Sequence, residues 1–371
     1  MTDQGKDLSE LRRHTFGNSV DRYVLKKLVQ KIFKKCRCRK IRGRESHATD
    51  ENSEPKTSAS RICPGHERAL DIHKTVHDLD VREEGISTLM CYLELHPYEW
   101  VENLQPVYAT CKLQCYGGPA QLQAVAKKCP PVAVAIAKQK MEGETFSYRS
   151  SVEFDIIELS DSMGWDSGPV KRELRLLQWN LQPGGASKTG VMVEFSDLTF
   201  HFRSPGDLTE DEMDGVIDFL HHRVVKQEKT ELFQLDLLHS SLKSAAHRNY
   251  WMCCDEANMA KSDKLRGFIE DYFENDKSVE MRMSEAEENS LEDSTSRDLG
   301  QLVLDIRQFI NLYGHEHSLN GRVIARVFHG IASPCFPSLT WGRVRRFWRC
   351  HLGVDFNSIL KIATKELIGL R

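Results

Sequence analysis

The chain has no long apolar run. Its longest uncharged apolar stretch, Val132–Ala137, is far short of the ~20 residues that a membrane-spanning helix needs, and no membrane partner is expected. The opening residues, MTDQGKDLSELRR, contain no apolar segment of the secretory kind. There is no GxxxxGK(S/T) phosphate loop: the only Gly-Lys pair is Gly5-Lys6, and Asp7 follows it. No ATP site and no nucleotide motor are therefore expected in this chain. Asp255-Glu256-Ala257-Asn258 looks like the acidic box of such motors, but it ends in Asn258 where they carry His. No nucleophile–base constellation occurs either, so no catalytic residue is assigned. An overall excess of positive charge is also missing, since the formal net charge is −3. Eleven cysteines, an odd number at uneven spacing, argue for reduced thiols. The expected setting is the nucleus, with the cytoplasm as a second location.

The charge that is present is uneven. Residues 22–44 hold eleven Lys/Arg and no acid, residues 317–354 hold six Arg and no acid, and residues 270–298 are acidic and serine-rich. The clearest pattern runs from Phe154 to Phe202. Ile156, Leu159 and Met163 mark a short helix, Gly164–Gly168 a turn, and Val170, Leu174 and Leu177 a second helix. Alternation then takes over at Val191, Val193 and Phe195, and again at Leu198, Phe200 and Phe202, which is the period of strands. Gln182–Gly190 is the natural wing between them. This predicts a winged helix whose second helix, by analogy with helix-turn-helix modules, offers Lys171, Arg172 and Arg175 to DNA, with Lys188 on the wing. Shifting residues 71–96 by 84 lays Asp71 on Asp155, Ile72 on Ile156, Ile86 on Val170 and Leu93 on Leu177. A tandem of related modules is expected. The first copy carries Glu83, Glu84 and Glu94 and would repel phosphate.

Val20, Val24, Leu28 and Ile32 predict an amphipathic helix, capped by Ser19, whose other face holds Arg22, Lys26, Lys27 and Lys31. Lys34 and Lys35 continue this basic surface. The helix runs into Cys36-x-Cys38, and Cys63-x-x-His66 follows a polar loop. Two close pairs of thiolate and imidazole ligands are the usual way to build a tetrahedral zinc site, and neighbouring cations favour the thiolate. Cys36, Cys38, Cys63 and His66 are the predicted ligands of a structural zinc. Two unrelated cysteine clusters are the alternative, and Cys111, Cys115 and His47 form a rival ligand set. In the C-terminal part, Arg343, Arg345, Arg346 and Arg349 interleave with Trp341, Phe347 and Trp348. Such a stretch could hold phosphates and stack on unpaired bases, or the aromatics could be core and the arginines merely solvated.

The predicted fold class is mainly α with small β-hairpins (α+β): tandem winged-helix-like modules, a zinc-stapled N-terminal helix and a C-terminal helical unit. The expected divisions are 1–18, 19–70 with a disordered loop at 44–60, 71–150, 151–245 with a long helix opened by the Thr209–Glu212 capping box, an acidic linker at 246–298, and 299–371.

Seven ordered stretches, among them LRRHTFGNSVDRYVLKKLVQKIF, CPGHERAL, CYLELHPYEW, CYGGPAQLQAVAKKCPP and GRVIARVFHGIASPCFP, carry a resemblance to a family. The chain resembles the C-terminal, motor-lacking part of the fourth subfamily of vertebrate RecQ-type ATP-dependent DNA helicases. That resemblance implies zinc on Cys36, Cys38, Cys63 and His66, and residues Leu8–His14 at the exit of a motor lobe. It also implies 3′–5′ unwinding by the whole protein, in replication, repair, recombination and chromosome maintenance. DNA, forked, single- or double-stranded, would be the partner, with replication and repair proteins beside it. The other readings of the residues are a protein-interaction scaffold of the replication machinery and a tandem winged-helix transcription regulator. In other RecQ-type helicases an aromatic wedge at the hairpin tip splits the duplex; residues 182–190 hold no aromatic, so the comparison with that family implies a wing that binds DNA without splitting the duplex.

Overall fold

The computed structural model of the chain describes residues 6–36, 38, 62–182, 185–247, 250–252, 258–274 and 299–369. The loop at 44–60, Asp255–Ala257 of the acidic box and the stretch at 275–298 lie outside the described residues. Two helices come first, α1 (Lys6–Asn18) and α2 (Arg22–Ile32). Then follow β1 (His66–Asp71), α3 (Ile72–Leu79), α4 (Glu83–Glu94), β2 (Glu102–Cys115), α5 (Gly118–Lys128) and α6 (Pro130–Met141). The middle continues with β3 (Ser151–Asp155), α7 (Ile156–Met163), α8 (Ser167–Leu176), β4 (Trp179–Gln182), β5 (Gly185–Lys188) and β6 (Val191–Ser204). The rest is helical: α9 (Glu210–Ala245), α10 (Met259–Glu274), α11 (Leu299–Tyr313), α12 (Gly321–His329), α13 (Ser338–Trp341) and α14 (Phe356–Gly369). The chain is thus mainly helical with a small antiparallel sheet. It divides into two compact units, one of Tyr23–Leu79 and Glu83–Leu220, the other of the residues up to Arg22, Asp80–Arg82 and those from His221 on.

The first unit is built on a duplication. A shift of 84 lays α3 on α7 end to end. Both helices start from an aspartate that ends the preceding strand. The Lys74 N–H donates to Asp71 Oδ1 at 2.5 Å, and the Glu158 N–H donates to Asp155 Oδ1 at 2.8 Å, so each carboxylate satisfies one orphan donor of its helix. The strands are not arranged as two self-contained modules. Sheet order is β1-β6-β2-β3, antiparallel throughout. The short first strand of each copy pairs with the long strand of the other: Asp71 stands opposite Thr199, and Asp155 opposite Thr110. One interleaved sheet therefore replaces the expected tandem of separate modules. The predicted wing forms a separate two-stranded hairpin, β4–β5.

Local sequence explains much of the rest. On β2, Ala109, Cys111, Leu113 and Cys115 are buried at every second position, the signature of a strand with one face in the core. The apolar parity of β6 changes across Asp197, which sits at φ 59. The pairing with β2 keeps its register across this residue, Thr110 opposite Ser196 and Tyr108 opposite Leu198, and shifts only between Leu104 and Val107. Pro130 and Pro131 stand at the start of α6, where a missing N–H costs nothing. Helix α2 buries Val24, Leu25, Leu28, Val29 and Ile32. Ser19 does not cap it, because its hydroxyl donates instead to the Phe16 carbonyl at 2.7 Å.

In the second unit, α1 packs with the C-terminal helices, and Phe16 stacks on Phe356 with ring centroids 4.3 Å apart. Arg326, only 7% exposed, donates to the carbonyls of Gly17 and Ser19. Asn320 caps α12 by accepting from the Val323 N–H at 2.8 Å. At the end of the first unit, Thr209 and Glu212 form the capping box that opens α9, with the Thr209 N–H donating to Glu212 Oε2 at 2.8 Å. Part of the expected linker is ordered as α10.

Candidate metal centre and basic surfaces

Cys36 follows α2, Cys38 lies two residues on, Cys63 is buried in a turn and His66 opens β1. Their four ligand atoms all lie within 4.8 Å of one another. Cys36 Sγ is 3.8 Å from Cys63 Sγ, and Cys38 Sγ is 3.4 Å from His66 Nε2. A tetrahedral zinc with Zn–S near 2.3 Å and Zn–N near 2.0–2.1 Å requires edges of about 3.8 Å (S···S) and about 3.6 Å (S···N). The residues present fit that ion. Its role there would be structural, since three thiolates and an imidazole fill a closed site.

The supports of the cluster are as telling as the ligands. His66 turns Nε2 toward the thiols because Nδ1 is held by the Asp161 carboxylate at 2.9 and 3.1 Å. A carboxylate on the far nitrogen is the usual way to fix the ring of a metal-binding histidine. Asp161 comes from α7 and also accepts the Glu67 N–H at 3.1 Å. The turn at Gly206 closes the other side: its carbonyl accepts the Cys36 N–H at 2.9 Å, and its N–H donates to Cys63 Sγ at 3.5 Å. A Cβ on Gly206 would come within 2.6 Å of both Cys36 Cβ and the Lys34 carbonyl, so only glycine fits. Burial pushes the Cys38 thiol up to about 12 and raises Cys63. At Cys36 burial also pushes upward, but hydrogen bonds from Cys38, His66 and Cys63 outweigh it and the thiol moves down. A divalent cation is what would hold all three as thiolates. Asp161→Asn is expected to weaken metal affinity about 10–100-fold in competition with a chromophoric chelator; unchanged affinity would remove Asp161 from the site.

Among the described residues the rival pair Cys111 and Cys115 belongs to no metal-ligand cluster. Cys111 and Cys115 are buried in the sheet face, burial pushes Cys111 up to about 12, and His47 lies outside the described residues.

The expected DNA-contacting residues divide. Arg172, Arg175 and Lys188 are exposed, as are Lys26, Lys34 and Lys35. The Arg175 guanidinium stands over the Phe195 ring at 5.2 Å, which presets its direction. Lys171 is half-buried, and burial, then Arg175, draws its ammonium below its ordinary value. Lys31 is engaged with Asp78 at 2.8 Å, and Lys27 lies over the Tyr23 ring at 4.7 Å. Trp179 at the base of the β4–β5 hairpin is 47% exposed. The hairpin therefore starts before residue 182, and the absence of aromatics holds for its tip but not its base. In the other unit Trp341 and Phe347 are core, 5% and 1% exposed, so these two rings cannot stack on bases. Arg343, Arg345, Arg346 and Arg349 remain exposed, though Arg349 pairs with Glu10 and Arg346 donates to Gln308.

The chain is similar from end to end to part of ATP-dependent DNA helicase Q4. It is 42% identical over 393 residues to the helicase Q4 of Homo sapiens, which takes in 98% of this chain and 32% of the human protein. Helicase Q4 of Mus musculus is 41% identical over 375 residues, 99% of this chain and 31% of the mouse protein. ATP-dependent DNA helicase Q-like 5 of Arabidopsis thaliana is 23% identical over 364 residues, 97% of this chain and 34% of the plant protein. The chain thus spans about a third of the length of the curated relatives it matches. No family model matches it. Among the described residues no helix is long and apolar enough to cross a membrane.

Four features of the centre escape sequence reasoning: Asp161, Gly206, Asp207 and Arg68. Asp207 accepts the Cys63 N–H at 3.3 Å, and Arg68 donates to the Lys34 carbonyl at 2.6 Å. The turn Ser204–Asp207 is visible as a turn, but nothing in its spacing ties it to cysteines some 140 residues earlier.

Proposed function

We propose that this chain is a non-catalytic DNA-binding region of a RecQ-type 3′–5′ ATP-dependent DNA helicase, acting in the nucleus in replication and repair. What carries the reading is one juxtaposition. A cluster with zinc-ligand geometry shares a compact unit with two exposed basic surfaces, Arg172, Arg175 and Lys188 on one, and Lys26, Lys34 and Lys35 on the other. The helix–helix–hairpin order of the second copy supports its likeness to a winged helix. In this reading the chain positions DNA: contacts to the phosphate backbone fix orientation and carry little sequence information. Lys171, Lys27 and Lys31, turned inward or engaged, assist from behind. Zinc ties the end of α2 to β1 and so presents the basic surface in one arrangement. ATP-driven unwinding would come from the remainder of a longer protein. Arg343 and Arg345, in the other unit, form a third exposed basic surface that offers itself to phosphate.

The test is to titrate the purified chain against labelled forked DNA at 50 and 200 mM salt. A protein making six or more phosphate contacts loses about a thousandfold or more in affinity over that interval, and a loss of this order is expected. Weak binding that ignores salt would refute the proposal and favour a scaffold.

A further inference from the structure

The two copies in the first unit part ways after their second helices. They match at a shift of 84 through the helices and at 89 in the long strands, so the second copy holds five more residues there. It uses them for the β4–β5 hairpin. In the first copy the shorter connection folds back on itself. The Glu99 N–H donates to the His96 carbonyl at 2.7 Å and the Trp100 N–H to the Leu93 carbonyl at 3.2 Å, with Glu99 held at φ 44.

This fold-back, at the place in the chain where the second copy has its hairpin, forms one side of a cavity of about 690 Å³ whose other side is Cys63–Gly65 and Arg203–Pro205. Its walls mix two chemistries. Leu95, Tyr98 and Trp100 supply apolar and aromatic surface, and Glu94, Glu99 and Glu102 supply carboxylates. The rings of Tyr98 and Trp100 stand at 66° with centroids 5.6 Å apart. Glu94 is satisfied by the N–H and side-chain amide of Asn103, both at 2.9 Å. Among the described residues of the wall the one cation is Arg203, which stands 3.7 Å from Glu102. Glu99 has no ion pair with another described residue and is exposed at the rim. Negative charge therefore exceeds positive, and Leu95 is left 80% exposed. Phosphate would be repelled. A cation on an aliphatic stem is what such walls take: the stem lies on the apolar surface, and the charge meets carboxylate and ring face.

We propose that this cavity docks a lysine- or arginine-bearing segment of a protein partner. The first copy then binds a basic peptide at the position where the second copy carries its hairpin, and the proposal stands whether or not the chain binds DNA.

The experiment is a fluorescence-anisotropy titration of the full chain with a labelled nonapeptide of alternating lysine and alanine, against a glutamate–alanine counterpart. Only the lysine peptide is expected to bind. The double variant Glu99→Gln/Glu102→Gln should weaken it at least tenfold. Glu83→Gln/Glu84→Gln, which removes two exposed charges outside the cavity, should leave it unchanged. Tyr98→Ala should weaken it severalfold with the carboxylates intact, with the circular dichroism of every variant matching the parent. No binding of the lysine peptide by the parent chain would overturn the proposal. So would equal losses in the two glutamine pairs, which mean only diffuse attraction, or a Glu99→Gln/Glu102→Gln variant that binds like the parent.

Discussion

Removing the metal with a strong chelator is expected to lower the melting temperature of the sheet-containing unit by about 10 °C without dissolving its sheet. The magnitude follows from topology. A metal held by Cys36, Cys38, Cys63 and His66 would close a loop of intermediate length. A cross-link over such a loop contributes about 3–4 kcal/mol by restricting the unfolded chain, and a unit of this size shifts about 2–4 °C per kcal/mol. Complete unfolding is not expected. Helix α2 is independently anchored by five buried apolar residues, and the core that includes Leu113, Leu122, Ile156 and Leu174 contains none of the four candidate ligands. Cys63→Ser should reproduce the shift and abolish the response to chelator. An unshifted melting curve, together with no zinc in the purified protein by elemental analysis, would contradict the structural-zinc reading.

Reversing charge at Arg172 and Arg175 is expected to weaken binding to forked DNA by about 10–100-fold and to flatten its salt dependence. Each lost phosphate contact removes about 0.9 from the slope of log K against log salt, so the slope should become shallower by about 2. Both side chains are exposed, so the folded state should tolerate the change. Lys171→Gln, at a half-buried position, should cost less affinity than either arginine. A double reversal with unchanged slope would move the DNA surface elsewhere, with Arg343 and Arg345 the next to be changed.

The four residues that gather at the candidate metal centre could be read from sequence because metal sites impose short spacings: two residues apart in one pair, three in the other. The caps at Thr209 and Asn320 were legible for a similar reason, since a cap and its helix are neighbours in the chain. The 84-residue shift was equally visible, as apolar positions in matching order. Strand partnership was not. Alternation at Val191–Phe202 says that a strand forms and which face is buried, but pairing is settled by packing between segments far apart in sequence. The sorting of the lysines was hidden for the same cause. Lys171 and Arg172 are adjacent letters, yet helical geometry points one toward the sheet and the other to water. The aromatics at Trp341 and Phe347 alternate with arginines just as a base-stacking surface would. Only the rings of Phe309, Tyr313 and Phe328 packed around them show that they are core.

The crossed pairing of β1 on β6 and β3 on β2 has a consequence for where this protein can be divided. Neither repeat owns its sheet, so an expression boundary placed between the repeats, in residues 116–150, would separate every strand of the sheet from all its partners and leave two fourteen-residue strands unpaired on both edges. The same crossing is what a symmetric pair of identical subunits would show had they exchanged their first strands across a two-fold axis. In the single chain the two halves differ, one carrying arginines and a hairpin, the other glutamates and a hollow.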